Sequence, residues 1–203
     1  MAMFEIKVSN SVNDQTQHVA GKFGTNTGDS FVPAVCAAGT LCVQNGLTKS
    51  EGYESFGVKN GNTWFFNAAA SGKVTGFTGD HTGIYAFNNY DVAKVTGNGI
   101  TANVGAKTLG LSLPAGERGD FCEIRIGEQY EFDADNFSTA PGADATTGYA
   151  TISSGKLVYS ADAPTTVEIV YFELLRVVPV NEGTKYVGKG YILRALRHAP
   201  YSV

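Results

Sequence analysis

Apolar and polar residues alternate along much of this chain, and the alternation predicts β-strands. The plainest example is residues 108–132 (TLGLSLPAGERGDFCEIRIGEQYEF), where two alternating runs flank a turn with one proline and two glycines. A period of two gives a strand one buried face, and Glu123 and Arg125 fall on the face opposite the apolar residues. Gly127 interrupts the second run, as a glycine at a bulge or close backbone approach does. The segment predicts a central antiparallel hairpin.

Further short strands are predicted between turn signals. Asn-Gly pairs at 45–46, 60–61 and 98–99 are strong signals for tight turns. The predicted strands are 31–38, 41–43, 56–58, 63–66, 84–87, 92–96, 100–104, 149–152 and 157–159, the last two forming a hairpin. Together they predict an all-β fold of short strands, arranged as an antiparallel barrel, a sandwich or two linked β modules.

The run at 165–178 (TTVEIVYFELLRVV) is the longest apolar stretch. Its β-branched and aromatic residues favour a strand, and its leucines, glutamate and arginine leave a helix open. Pro179 is expected to end it. Residues 191–197 are the last ordered candidate, again as a strand or a short helix.

The first 30 residues differ from the rest. Phe4, Ile6 and Val8 alternate with polar residues and predict a short strand, whereas residues 9–30 are mostly polar, with Phe23 among the few apolar exceptions. Such a stretch cannot bury enough surface to fold alone. The first 30 residues are either a flexible terminus or an extended arm whose strand adds to the sheet of a neighbouring subunit. Deleting residues 2–30 is then expected to leave a folded domain.

The domain organisation that follows is an extended N-terminal arm at residues 1–30 and a β-rich domain at residues 31–203. The pattern leaves open a division of that domain into two β modules near residue 105.

The composition makes some classes of function less expected for this chain. The chain of 203 residues has a formal charge of −4 and 17% charged residues, so it lacks the basic footprint of a nucleic-acid-binding protein. No run of about 18 apolar residues and no export signal occurs, and a soluble protein made in the cytoplasm is expected. Cys36, Cys42 and Cys122 do not have metal-site spacing and are expected to be small buried residues without disulfides.

Catalytic chemistry finds little support in the sequence. Motifs for hydrolases, metalloproteases, phosphate loops and dinucleotide binding are absent. Asp80 and His81 are the one local pair that suggests acid–base work, and they lie in a glycine-flanked turn that favours solvation. Asp133 and Asp135 lie where a loop is predicted to begin. We expect no catalytic residues, no metal and no cofactor.

The aromatic-rich region around Trp64 and Tyr85 has two interpretations. Aromatic rings offer sugars an apolar face with a polar rim. They are also enriched in sheet cores and in subunit interfaces, which is the interpretation we favour.

Several segments resemble the head decoration, or cement, proteins of tailed bacteriophages. They are AVCAAG (34–39), GLSLPAG (110–116), CEIRIG (122–127) and the run 149–157. The resemblance covers roughly residues 31–178, and the stretch 53–96 has no clear counterpart in it.

The resemblance implies a small barrel-like domain on the outer capsid surface that clamps adjacent major capsid protein subunits, often as a trimer. The family has no catalytic residues that the resemblance could assign to this chain. The residues expected to contact the partner are Phe4, Ile6, Val8 and Phe23. The alternatives are a glycan- or receptor-binding module of a head or tail fibre, with Trp64 and Tyr85 on the glycan, and a tail-tube or connector β protein.

Overall fold

The structure is a computed structural model of the chain. It describes residues 4–8, 18–27, 30–44, 64–73, 80–88, 94–97, 100–103, 112–166, 169–182 and 185–198. Within these ranges the chain is all-β apart from one 3-10 turn at Ala134–Asn136. The predicted fold class is confirmed.

The strands are, in chain order, β1 (Phe4–Val8), β2 (His18–Thr27), β3 (Ser30–Pro33), β4 (Cys36–Ala37), β5 (Leu41–Gln44), β6 (Trp64–Ala68), β7 (Ile84–Asn88), β8 (Lys94–Gly97), β9 (Ile100–Asn103), β10 (Ser112–Leu113), β11 (Gly119–Glu123), β12 (Gln129–Asp133), β13 (Phe137–Thr139), β14 (Tyr149–Ser153), β15 (Lys156–Ser160), β16 (Val170–Glu182) and β17 (Lys185–Arg197).

Five of these strands close into a barrel. The neighbours run in the order β11-β7-β5-β6-β2, and a further pairing of β2 with β11 completes the ring. Strand directions cannot alternate all the way round an odd-numbered ring, so one neighbouring pair has to be parallel. That pair is β2 with β6, and the other four are antiparallel. Strand β3 extends the sheet beyond β2.

The second large element is a seven-stranded sheet in the order β1-β12-β17-β16-β14-β15-β13. Its pairings are antiparallel except that of β13 with β15. Strands β16 and β17, each 13 residues long, form its central hairpin. Each large sheet combines strands from both sides of residue 105, and the division of the chain near that residue stays a prediction.

Alternating side chains of the barrel strands supply two separate cores. In β11, Phe121 belongs to a cluster inside the barrel, whereas its neighbour Cys122 belongs to a cluster between the barrel and the seven-stranded sheet. Inside the barrel the rings of Phe66 and Phe121 stack with centroids 4.2 Å apart. The inner cluster consists of Phe23, Cys36, Ala38, Cys42, Phe66, Phe87, Leu113 and Phe121.

The predicted central hairpin at 108–132 is wrong. Strand β10 pairs with β4, while β11 pairs with its barrel neighbours. The second alternating run is two strands: β11 lies in the barrel and β12 in the seven-stranded sheet. The break between them contains Gly127, whose φ of 89° suits glycine. Glu123 and Arg125, expected on an outer face, are both buried.

Residues 170–178 of the run at 165–178 lie in a strand, as the favoured interpretation predicted, but Pro179 does not end it. Strand β16 continues to Glu182, and Pro179 pairs with Lys189 of β17. Among the described residues no strand other than β17 pairs with this part of β16. Where a strand has only one neighbouring strand, a proline whose missing N–H would lie on the other side breaks no hydrogen bond of the ladder. The strand can therefore continue through the proline.

The predicted hairpin of residues 149–152 and 157–159 is confirmed. Strands β14 and β15 pair around Ser154 and Gly155, whose φ values of 49° and 78° match the type I′ turn that suits a twisted hairpin. Strands β8 and β9 pair around residues 98–99. The Asn-Gly pairs at 45–46 and 60–61 lie outside the described residues.

The N-terminal strands lie within the body of the chain. Strand β1 pairs with β12, and β2 is one wall of the barrel. Deleting residues 2–30 would therefore remove a barrel wall together with the buried side chain of Phe23, so a folded remainder is no longer the expected result.

We predict that Phe121→Ala lowers the free energy of unfolding by about 3–5 kcal/mol, because it removes a fully buried ring that stacks on Phe66. Urea unfolding followed by circular dichroism measures this. Val32→Ala is the control, since Val32 is 49% exposed and its truncation should cost about 0.5 kcal/mol or less. Equal losses in the two variants would contradict a packed barrel interior.

The three free cysteines are all buried, and we predict that their thiols do not react in the folded protein. Burial is the largest cause that raises the pKa of Cys42 and of Cys122, and a thiol reacts as its thiolate. A thiol reagent added at pH 8 should modify none of them in the native state and all three in denaturant. Rapid modification of the native protein would show that the cores open readily.

Candidate functional site

The chain passes from the barrel to the seven-stranded sheet at residues 124–128, and backbone hydrogen bonds hold this crossing from both sides. On the barrel side, the N–H of Ile124 donates to the carbonyl of Ile84 at 2.7 Å, and that of Ile126 donates to Asp80 at 2.9 Å. On the other side, the N–H of Gly127 donates to Ala195 at 2.8 Å. The crossing is therefore fixed against both layers.

Glu123, the last residue of β11, supplies a buried carboxylate at the crossing. Its Oε1 accepts hydrogen bonds from the backbone N–H groups of Thr82 at 3.2 Å and Gly83 at 3.1 Å. Its Oε2 lies 3.0 Å from Nδ1 of His81 and 3.7 Å from Nε of Arg125. A carboxylate removed from water needs such partners, so Glu123 fixes the turn that precedes β7.

Asp80 joins the same network from the surface. One of its carboxylate oxygens lies 3.5 Å from Nη1 of Arg125, and the other lies 3.9 Å from Nε2 of His81. The side chain of Arg125 is only 4% exposed, whereas those of Asp80 and His81 are 44% and 47% exposed. The buried guanidinium thus lies between a buried carboxylate and a solvated one.

A second buried carboxylate lies at the start of β12. The hydroxyl of Tyr130 donates to Oε2 of Glu128 at 2.6 Å and accepts a hydrogen bond from the backbone N–H of Arg125 at 2.8 Å. Burial, and then the neighbouring Glu128 carboxylate, raise the pKa of Tyr130 well above its usual value. The phenol stays protonated and keeps donating to Glu128.

A similar contact holds the other side of β11. Nδ1 of His18, in β2, lies 2.8 Å from Oδ2 of Asp120, and the side-chain amide of Asn88 donates to the same oxygen at 3.1 Å. Carboxylates of β11 therefore meet a histidine from β2 and a histidine from the turn before β7.

The geometry around His81 resembles that of a general base, with Nδ1 on the buried Glu123 carboxylate and Nε2 3.9 Å from the carboxylate of Asp80. The hydroxyl of the neighbouring Thr82 is buried and donates to the carbonyl of Ile124. Within the described ranges, no three His, Cys, Asp or Glu side chains are grouped to hold a metal ion. The network is suited to holding the crossing in place.

The residues predicted to contact a partner lie largely within the chain's own structure. Phe4 is buried, and its ring centroid lies 5.6 Å from that of Tyr130 and 5.2 Å from that of Phe132. Phe23 is buried inside the barrel. Ile6 and Val8 lie in β1, paired with β12. Contact of these residues with another subunit stays a prediction, and the intrachain burial of the two phenylalanines argues against it.

The structure does not bring Trp64 and Tyr85 together. Trp64 is 37% exposed at the start of β6. Tyr85 packs against the barrel core with its ring 5.1 Å from Phe66, and burial is the largest cause that raises its pKa. Tyr85 of β7 and Ala68 of β6 both pair with Cys42, which lies on the strand between them. Tyr85 is therefore in register with Ala68, and Ala68 is four residues, or roughly 13 Å, from Trp64 along β6.

Sequence reasoning found Asp80 and His81 but missed the residues that complete the network. Glu123 lies 42 positions from His81, and nothing local in the sequence signals that pairing. The sequence signal that could have indicated the crossing is Gly127, because a glycine between two alternating runs can mark the point where the chain passes from one sheet to another.

Comparison of the chain with protein-family models, with curated proteins and with solved structures finds no match. Among the described residues, no helix has the length and hydrophobicity needed to cross a bilayer.

We predict that Glu123→Ala lowers the free energy of unfolding by about 3 kcal/mol or more. It removes the buried carboxylate 3.7 Å from Nε of Arg125 and leaves two backbone N–H groups without the acceptor that Glu123 provides. Glu123→Gln should lose less, because it retains an oxygen for those N–H groups. Glu117→Ala is the control, since Glu117 is an exposed glutamate in the same part of the chain. Chemical denaturation measures all three, and a Glu123→Ala variant as stable as the control would contradict a structural role for the network.

Proposed function

We propose that the protein is a structural virion protein, a decoration or cement protein that binds the outer surface of a phage head and stabilises contacts between subunits of the major capsid protein. The resemblance of the segments at 34–39, 110–116, 122–127 and 149–157 suggests this class. The structural observation that supports it most is an exposed apolar edge on the barrel.

That edge is formed by β3 and the residues that follow it. Val32 is 49% exposed and Val35 is 61% exposed. In the described residues β3 pairs with β2 and lies at the end of its sheet, which makes it an edge strand. Exposed edges with apolar side chains attract strands or apolar surfaces of other chains. Pro33 limits uncontrolled pairing because it has no N–H to donate.

The rest of the body suits a protein that clamps a shell. A barrel packed on a sheet provides a rigid support for this edge, and a repeated lattice allows many modest contacts to act together through effective concentration. The proposal places the protein on the capsid surface after synthesis in the host cytoplasm, with trimer formation as one way of joining neighbouring subunits.

The experiment that tests the proposal is the copy number of this chain in purified particles from its source, by quantitative mass spectrometry against the main shell protein. A number comparable to that of the shell protein supports a lattice-wide stabilising role. A few copies per particle would favour a fibre, tail-tube or connector component. Absence from particles would overturn the proposal.

We predict that Val35→Lys weakens binding of the purified protein to undecorated particles by at least about tenfold, because a charge in the apolar contact must be desolvated. Co-sedimentation with particles measures the affinity. Thr139→Lys is the matched control, since it adds the same charge at an exposed position on β13, the edge strand of the other sheet. Equal binding by both variants would show that the β3 edge does not meet the shell.

A further inference from the structure

The seven-stranded sheet has one face on the core and one face away from it. In β14 and β16, Ala150 and Phe172 are buried in the core, and the intervening alternation places Tyr149 and Tyr171 on the opposite face. Both tyrosines are half-buried. The outer face therefore carries aromatic side chains that the core does not use.

These tyrosines form a row with a histidine, which we call the aromatic row: Tyr149, Tyr171 and His198. The ring centroids of Tyr149 and Tyr171 are 6.0 Å apart, and those of Tyr171 and His198 are 6.2 Å apart. Successive rings are tilted by 56° and 45°. The row spans two strands of one sheet and the residue just after β17, so the backbone ladder holds it in place.

Polar side chains lie beside the row in register. Tyr149 pairs with Glu173, Glu173 with Arg194, and Arg194 with Gln129 on the next strand. Nε of Arg194 donates to Oε2 of Glu173 at 3.1 Å, and Nη2 of the same guanidinium donates to that oxygen as well. The charges of this pair cancel, and both side chains remain partly exposed. This pair thus offers hydrogen-bonding groups that together carry no net charge.

We propose that this face binds a neutral polysaccharide through the aromatic row. A sugar ring presents an apolar C–H face, which an aromatic ring covers, and hydroxyl groups at its edge, which a carboxylate, guanidinium or amide can bind. The tilt between successive rings suits a chain whose sugars rotate from one unit to the next. Neutrality of the Glu173–Arg194 pair favours an uncharged glycan over an acidic one.

The location differs from that suggested by the sequence. Trp64 and Tyr85 lie in the barrel, one at the start of β6 and the other against the barrel core, whereas the aromatic row lies on the outer face of the other sheet. The inference does not depend on the proposed function, because a shell-binding edge at β3 and a glycan-binding face belong to different sheets.

The test is affinity electrophoresis of the full chain in native gels containing dextran, soluble β-glucan or galactomannan. We expect at least one of these neutral polysaccharides to retard the wild-type protein. Tyr171→Ala should weaken that binding about tenfold, the effect of losing one stacked ring, whereas Tyr171→Phe retains the ring and most of the binding. Trp64→Ala is the control for an exposed aromatic residue elsewhere and should bind like the wild type.

Thermal unfolding of each variant confirms that it is folded before binding is compared. No retardation of the wild type in any of the three gels would overturn the proposal. So would equal retardation of the wild type and a Tyr149→Ala, Tyr171→Ala double variant. If Tyr171→Ala instead loses binding to particles and the polysaccharides have no effect, the face is a protein interface and the glycan proposal is wrong.

Discussion

The carboxylate of Glu123 is the constraint on which the arrangement of the two layers depends. It is buried where the chain leaves the barrel, and a buried charge is tolerated only with donors and an opposite charge around it. Those partners are the turn before β7 and Arg125, which lies on the crossing itself. Because the same few residues continue into β12, satisfying Glu123 also fixes where β12 enters the seven-stranded sheet.

Sequence patterns predicted correctly the elements that are determined by residues close together in the sequence. The β14–β15 hairpin is specified by alternation on both sides of Ser154 and Gly155, and its pairing is confirmed. The partners of β11 were out of reach, because its neighbours β2 and β7 lie far away in sequence and alternation does not name a partner. Alternation also misplaced Glu123, since both faces of β11 are covered, one by the barrel interior and one by the second sheet. It misplaced Arg125 because that residue lies on the crossing and not in a strand.

The candidate site divides in the same way. Asp80 and His81 were visible as an adjacent pair, but the geometry that gives them a role comes from Glu123 on another strand. The aromatic row was invisible for a related reason: Tyr149, Tyr171 and His198 become neighbours only through strand pairing. Conversely, Trp64 and Tyr85 lie closer in sequence than the members of that row, and the barrel separates them along its wall.

The order of strands in the seven-stranded sheet has a consequence for synthesis. Strand β1 is made before the other described strands, yet its partner β12 completes its own pairing only with β17, which is made after all of them. Until then Phe4 and Phe132 have no finished core to enter. Pairing over such distances is slow, and unpaired edges associate readily. A nascent chain interrupted before β17 would therefore leave the apolar face of the barrel uncovered, which makes incomplete chains substrates for chaperones and proteases.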